Sequence, residues 1–178
     1  MMLPQTYPLL GHRISLRRFG VTDITNAYLD WLNDPIVMRF SNQRFVRHSK
    51  ASAKKYLAGF EGSSNLFLSV RRRDNDAALG TMTAYISVPH GTVDLGIMIG
   101  DRTVWGRGYG QEAWSTLVEW FAAAGEIRKI TAGTLACPHA MIQLTQRSGM
   151  LHEATRVRQE IVEGEAQDIL YYARFTNH

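Results

Sequence analysis

Between residues 104 and 114 the chain reads VWGRGYGQEAW, with Gly106, Gly108 and Gly110 alternating with Arg107 and Tyr109. A strand-like run, TVDLGIMIG, precedes this stretch, and a helical run follows it. Glycine beside a helix is costly unless a bare backbone is needed there. A strand that opens into a helix through glycines leaves several backbone N–H groups free, and the helix dipole adds partial positive charge at that end. Such a loop binds an anion, most often phosphate, and Arg107 offers a charge-assisted contact to it. Spacing separates the known phosphate loops. GxxxxGK[ST] is absent. The dinucleotide turn GxGxxG requires an acid about 20 residues later, and Arg128 and Lys129 stand near that place.

Three residues near this loop are candidates for proton transfer. Asp94 lies on the preceding strand and faces opposite from Val93 and Leu95. His90 sits in the turn PHG, where a simple turn role is the more economical reading. His139 opens a later helix. Gly96, inside the same strand as Asp94, marks either a bulge or ligand approach, or close packing against a neighbour. Farther upstream, Trp31, Asn33, Arg39, Arg44 and Arg47 fall in or beside the irregular segment IVMRFSNQRFVRH. Arginines there suit a phosphorylated or otherwise acidic ligand. Arg71, Arg72 and Arg73 are followed at once by Asp74 and Asp76, which reads as a solvated strand end rather than a nucleic-acid patch.

Several elements must position these residues. HRISLRRF, at 12–19, alternates as a first strand. Ile24, Ala27, Tyr28 and Trp31 hold one helical face, with Thr22 as the expected N-cap and Asn33-Asp34-Pro35 as the stop. Ala53, Tyr56, Leu57 and Phe60 repeat the spacing in a helix from about Ser49. NLFLSVRRR, AALGTMTAYISV and TVDLGIMIG, joined by short turns, predict an antiparallel meander. Trp114, Leu117, Val118 and Phe121 give the helix after the glycine loop, ended by Gly125, and RKITAGTL the next strand. Strand, loop, helix and strand make a βαβ crossover with parallel strands. A short helix in HAMIQLTQRSG and two strands around the turn EGEA complete the chain. The expectation is one mixed α/β domain over residues 1–178, built on a single sheet.

Composition sets the outer bounds. The chain has 178 residues, 45% apolar and 20% charged, which suits a globular domain with a substantial core. A net charge of +4 favours an anionic ligand. The single cysteine, Cys137, permits no disulfide within the chain and suits a reducing compartment. No HExxH or paired CxxC pattern occurs, so no metal is expected. No apolar run reaches the length of a membrane span and the N-terminus lacks signal-peptide features, so a cytoplasmic location with no membrane or nucleic-acid partner is expected.

The stretch IGDRTVWGRGYGQEAW resembles the cofactor loop of the GNAT superfamily of N-acetyltransferases, written [QR]-x-x-G-x-[GA]. Gly108 and Gly110 take its small positions, and Trp105 replaces Q/R. A Trp-Gly-[KR]-Gly-Tyr variant is similar to the branch with ribosomal-protein and amino-sugar acetyltransferases, as are YLDWLNDPIVMRF and RSGMLHEATRVRQ. The resemblance covers nearly the whole chain and implies the GNAT fold, acetyl-CoA as cosubstrate, and direct transfer of acetyl to a primary amine. It implies that Trp105, Gly106 and the backbone amides of Arg107, Gly108, Tyr109, Gly110 and Gln111 hold the pyrophosphate. It also implies that the main chain of Ile97, Met98 and Ile99 pairs with the pantetheine arm, and that a bulge at Gly96 opens the slot. Trp31, Asn33, Arg39 and Tyr85 would line the acceptor side, with an amino-sugar nucleotide as the favoured acceptor and a protein N-terminus as the other reading. A homodimer is common in this branch, and a CoA-binding module without turnover is a third reading. The family's second signature is altered: Pro138 replaces its asparagine and Thr145 its proton-donating tyrosine. Asp94, His139 and Thr145 are the residues expected to carry the proton steps.

Overall fold

Alternating apolar residues pair the strands into one eight-stranded sheet, and the computed structural model describes residues 7–137 and 139–176 of it. Pro138 lies outside the described residues. β1 (Leu9–Leu10), β2 (Ile14–Arg18), β3 (Leu66–Arg72), β4 (Ala78–Ser87) and β5 (Thr92–Ile99) form an antiparallel meander. β6 (Lys129–Leu135) runs parallel to β5, then β8 (Glu165–Phe175) pairs with β6, and β7 (Leu151–Val162) closes the far edge. Between β5 and β6 the chain crosses over through α3 (Tyr109–Ala123), which is the expected βαβ unit. The short β1 was not expected from the sequence.

The two faces of the sheet carry separate cores. On one, α3 presents Trp114, Leu117, Val118 and Phe121, all fully buried, against Leu16, Leu68, Met82, Leu95 and Ile130 of the strands. Each such side chain stabilises the fold by roughly 1.5–3 kcal/mol through removal of apolar surface from water. On the other face, α1 (Asn26–Asn33) and α2 (Lys50–Ala58) pack Tyr28, Ala53 and Leu57 on Phe19 and Phe67. Phe19 and Phe67 stack at 4.4 Å between ring centroids. α4 (His139–Arg147) lies on the α3 side, where Met141, Ile142 and Leu144 meet the first core.

Local signals set the helix ends, with one shift from expectation. α1 is capped by Thr25, whose hydroxyl accepts from Tyr28 N–H at 3.2 Å, rather than by Thr22. Thr22 instead lies in a 3-10 turn, Val21–Asp23, which the buried Asp23 carboxylate stabilises by accepting from Gly20 N–H at 2.8 Å. Ser49 caps α2 by accepting from Ser52 N–H. The arginine run behaves as a strand end: Arg71 pairs with Asp76 and Arg72 with Asp74, while Arg73 donates to Gly11 O.

Candidate active site

β5 and β6 pair only from Thr92–Asp94 to Lys129–Thr131. Beyond that point β5 continues along β4 while β6 continues along β8, so the two parallel strands part and leave a slot. Gly96 does not cause the parting. Its register with Thr83 on β4 is unbroken, and a Cβ there would fall 2.7 Å from Thr83 Oγ1. The expected bulge is absent, and close packing is what requires glycine.

The ladder phase identifies the backbone groups that face the slot. Gly100 N–H donates to Leu79 O at 2.9 Å, with Ile99 opposite Gly80. In an antiparallel ladder this makes Ile99–Gly80 a non-hydrogen-bonded pair, so hydrogen-bonded pairs fall at Met98 and Gly96. Met98 therefore directs its main chain at β4, contrary to the expectation that it pairs with the pantetheine arm. Ile97 directs both N–H and C=O toward the slot. Ile99 directs its N–H there, while its C=O accepts from Trp105 Nε1 at 2.8 Å. Trp105 thus ties the glycine loop to the last residue of β5.

The loop itself uses two left-handed glycines. Gly106 has φ 73° and Gly108, the residue before α3, has φ 82°. Glu112 N–H makes the first helical bond, to Gly108 O. The N–H groups of Gly108, Tyr109, Gly110 and Gln111 have no acceptor among the described residues and open at the positive end of a 15-residue helix. Arg107 differs from expectation, because its N–H donates to Val104 O at 3.2 Å. Its guanidinium has no partner among the described residues and the residue is exposed. The Gln111 side chain faces away from them and joins α3 to α4 through Ser115, Ser148 and Leu144 O.

Arg13, which the sequence did not single out, braces the loop. It donates through NH1 to Arg107 O at 3.1 Å, and its Nε bonds Glu112 at 2.8 Å. Its guanidinium lies 4.4 Å from the Tyr109 ring centroid. Burial alone would raise the Glu112 carboxyl, but the bonds from Arg13 N–H and side chain outweigh it and hold the carboxyl below its ordinary value.

Asp94 stands at the fork itself, as the last residue of β5 that pairs with β6. Its Oδ1 accepts from Thr131 Oγ1 at 2.7 Å, and Tyr85 lies directly opposite on β4. No cation pairs with it among the described residues. The side chain still reaches solvent, yet surrounding protein limits hydration of the carboxyl. That burial raises its pKa above the ordinary value, and the Thr131 bond only partly offsets the rise. Tyr85 OH and Tyr56 OH are 2.8 Å apart, so an aromatic wall with polar tips flanks Asp94 on the α1/α2 side. Thr131 and Tyr56 were not foreseen as site residues. Their roles depend on strand pairing and helix docking, which leave no local signature.

The other expected residues separate. Thr145 is fully buried in α4 and its hydroxyl donates to Ile142 O at 2.8 Å, which leaves it no proton to give a leaving group in the slot. His139 is exposed at the start of α4. His90 is an exposed turn residue whose carbonyl accepts from Arg128. Trp31 covers Gly100, where a Cβ would fall 2.1 Å from the indole. Asn33 closes the α1–α2 segment on itself by bonding Leu29 O, His48 O and His48 N–H. Arg39 forms a two-bond ion pair with Glu163 at the β7–β8 turn, and Arg44 donates to Ile161 O. These two arginines therefore hold the hairpin rather than an anionic ligand.

The chain matches the family model for the acetyltransferase (GNAT) domain over residues 13–151. It belongs to that family and is an acyl-CoA-dependent acetyltransferase with acetyl-CoA as cosubstrate. Among solved structures it is similar to a GNAT-family acetyltransferase from Bacillus anthracis, with TM-score 0.81, 16% identity, and coverage of 96% of this chain and 99% of that one. It is similar to RimL, a ribosomal L7/L12 alpha-N-protein acetyltransferase in complex with coenzyme A, with TM-score 0.81, 15% identity and coverage of 94% and 96%. It is also similar to spermidine N-acetyltransferase from Vibrio cholerae in complex with CoA and spermine, with TM-score 0.80, 15% identity and coverage of 92% and 96%. At these identities the likeness is one of fold. No curated protein matches the chain. Among the described residues no helix is long and apolar enough to cross a membrane.

Proposed function

We propose that this acetyltransferase acts on a cationic primary amine of a small molecule, with Asp94 as the proton acceptor. The supporting observation is a carboxyl at the β5–β6 fork that has no cationic partner among the described residues and is bounded by Tyr85 and Thr131. An ammonium ion is attracted to that carboxylate, and its proton moves there as the nitrogen lone pair attacks the thioester carbon. Ile97 N–H, which points into the slot, donates to the carbonyl oxygen as charge develops on it. The carbon–sulfur bond then breaks, and the second proton that the nitrogen loses on becoming an amide passes to the departing thiolate, through solvent or His139. Arg39 and Arg44 are engaged with the hairpin, which takes two of the three arginines that favoured an amino-sugar nucleotide and leaves Arg47. Thiol release from acetyl-CoA, measured with polyamines, amino sugars, an amino-sugar nucleotide and short peptides, tests this reading. Turnover with a polyamine or amino sugar that drops in Asp94→Asn supports it. Release only with peptides would instead favour the protein N-terminus, and CoA binding without release for any amine would favour a module without turnover.

A further inference from the structure

A second cleft, of about 360 Å³, opens on the α1 side of β2, β3 and β4. That volume is at the low end of those that hold small molecules. Its floor carries Ser69 and Thr81, only 2% and 7% exposed. They are directly opposite each other on β3 and β4, a spacing that brings both side chains within reach of one ligand oxygen. Neither hydroxyl has a hydrogen-bond partner among the described residues. Both residues line the cleft, and their hydroxyls are open to a ligand there.

The cleft is lined by two guanidinium groups and one buried carboxylate. Arg17 donates to Asp23 at 2.7 and 3.0 Å, and Arg71 approaches the same carboxylate at only 3.4 Å. Asp76, the other partner of Arg71, has a solvent-exposed side chain and does not line the cleft. Arg71 is thus held mainly by Asp76 and turns one weakly engaged arm toward the cleft, and Thr25, the cap of α1, places the positive end of that helix at the same wall. Tyr28 and Trp31 supply apolar surface. Trp31 also separates the cleft from Gly100 at the end of β5.

We propose that this cleft binds a small hydroxylated carboxylate, independently of acetyl transfer. The carboxylate of the ligand takes the weak arm of Arg71, its hydroxyl bonds Ser69 and Thr81, and its carbon skeleton lies on Tyr28 and Trp31. Isothermal titration of the full chain with glycerate, with acetate and glycerol as comparisons, tests it. Glycerate should bind, and acetate and glycerol should each bind about tenfold more weakly, since each lacks one recognised group. Ser69→Ala and Thr81→Ala should each weaken glycerate about tenfold, Thr81→Ser should restore it, and CoA affinity should stay unchanged in all three. No binding of glycerate, equal binding by the alanine variants, acetate as tight as glycerate, or displacement by CoA would each overturn the proposal. The readout needs no turnover, so it stands or fails apart from the role given to Asp94.

Discussion

Among the described residues the Asp94 carboxyl accepts one side-chain hydrogen bond and pairs with no cation, so burial, partly offset by the Thr131 bond, sets its behaviour with pH. Its pKa is raised on folding, which means the ionised form is less favourable in the native state than in the unfolded chain. Folding is therefore weakened wherever Asp94 is ionised, and the penalty disappears as pH falls below the unfolded carboxylate value. Asp94→Asn keeps an acceptor for Thr131 and removes the charge. The variant should melt above the wild type near neutral pH, with the gap closing in acid, while kcat/KM falls by about 10²–10⁴ and CoA affinity stays unchanged. Wild-type kcat/KM should fall as pH drops through the raised pKa. A variant that loses CoA binding along with turnover would place Asp94 in the cofactor slot rather than beside the amine. Gly108 makes a different argument at the same scale. At φ 82° any Cβ is strained, and here it would also meet Arg13 NH2 at 3.3 Å. Gly108→Val should weaken CoA by about tenfold or more, from roughly 1–3 kcal/mol of backbone strain placed where the free amides converge. CoA bound at wild-type strength would refute the phosphate role of the loop.

At the scale of elements, α3 is anchored at its first turn by Glu112, which accepts from both the main chain and the side chain of Arg13. The lowered pKa of Glu112 means that its contribution to stability is present above the unfolded carboxylate value and is lost as pH falls through the folded one. Glu112→Ala should cost about 1.5–3 kcal/mol, the range for charged hydrogen bonds, and should also loosen CoA, because Arg13 is then less firmly held against Arg107 O. Chemical denaturation and CoA titration of one variant check both, and an unchanged CoA affinity would mean the loop is rigid without Arg13. The strand, glycines and helical face of this βαβ unit were legible in the sequence, because each is a local pattern. The same holds for the order of the elements and the meander. What was not legible depends on pairing between distant segments. Alternation alone cannot say that Ile97 faces the slot and Met98 faces β4, since the phase is set by Gly100 against Leu79. Nor can it place Thr131 beside Asp94, or show that Thr145 turns its hydroxyl back to its own helix.

Across the whole molecule, the first and last quarters of the chain meet through side-chain contacts. The segment between α1 and α2 carries Arg39, Asn42 and Arg44, and these bond Glu163, Glu160 and Ile161 O at the tip of the β7–β8 hairpin. The Arg39–Glu163 pair lies in the open, with side chains 50% and 63% exposed, so salt should weaken it. Arg102 and Asp34 make a matching contact between the glycine loop and the end of α1. Two ion pairs thus tie the α1–α2 segment to the hairpin and to the glycine loop. Arg39→Ala should raise amide hydrogen exchange in residues 38–45 and 160–165 and change KM for the amine severalfold, with CoA affinity unaffected. High salt should shift the wild type toward the variant and leave the variant nearly unmoved. If Arg39→Ala weakens CoA as much as it changes the amine KM, the hairpin supports the slot and not the acceptor. Because the contact joins residues more than 100 positions apart, it also explains why arginines that look free in the sequence are engaged in the fold.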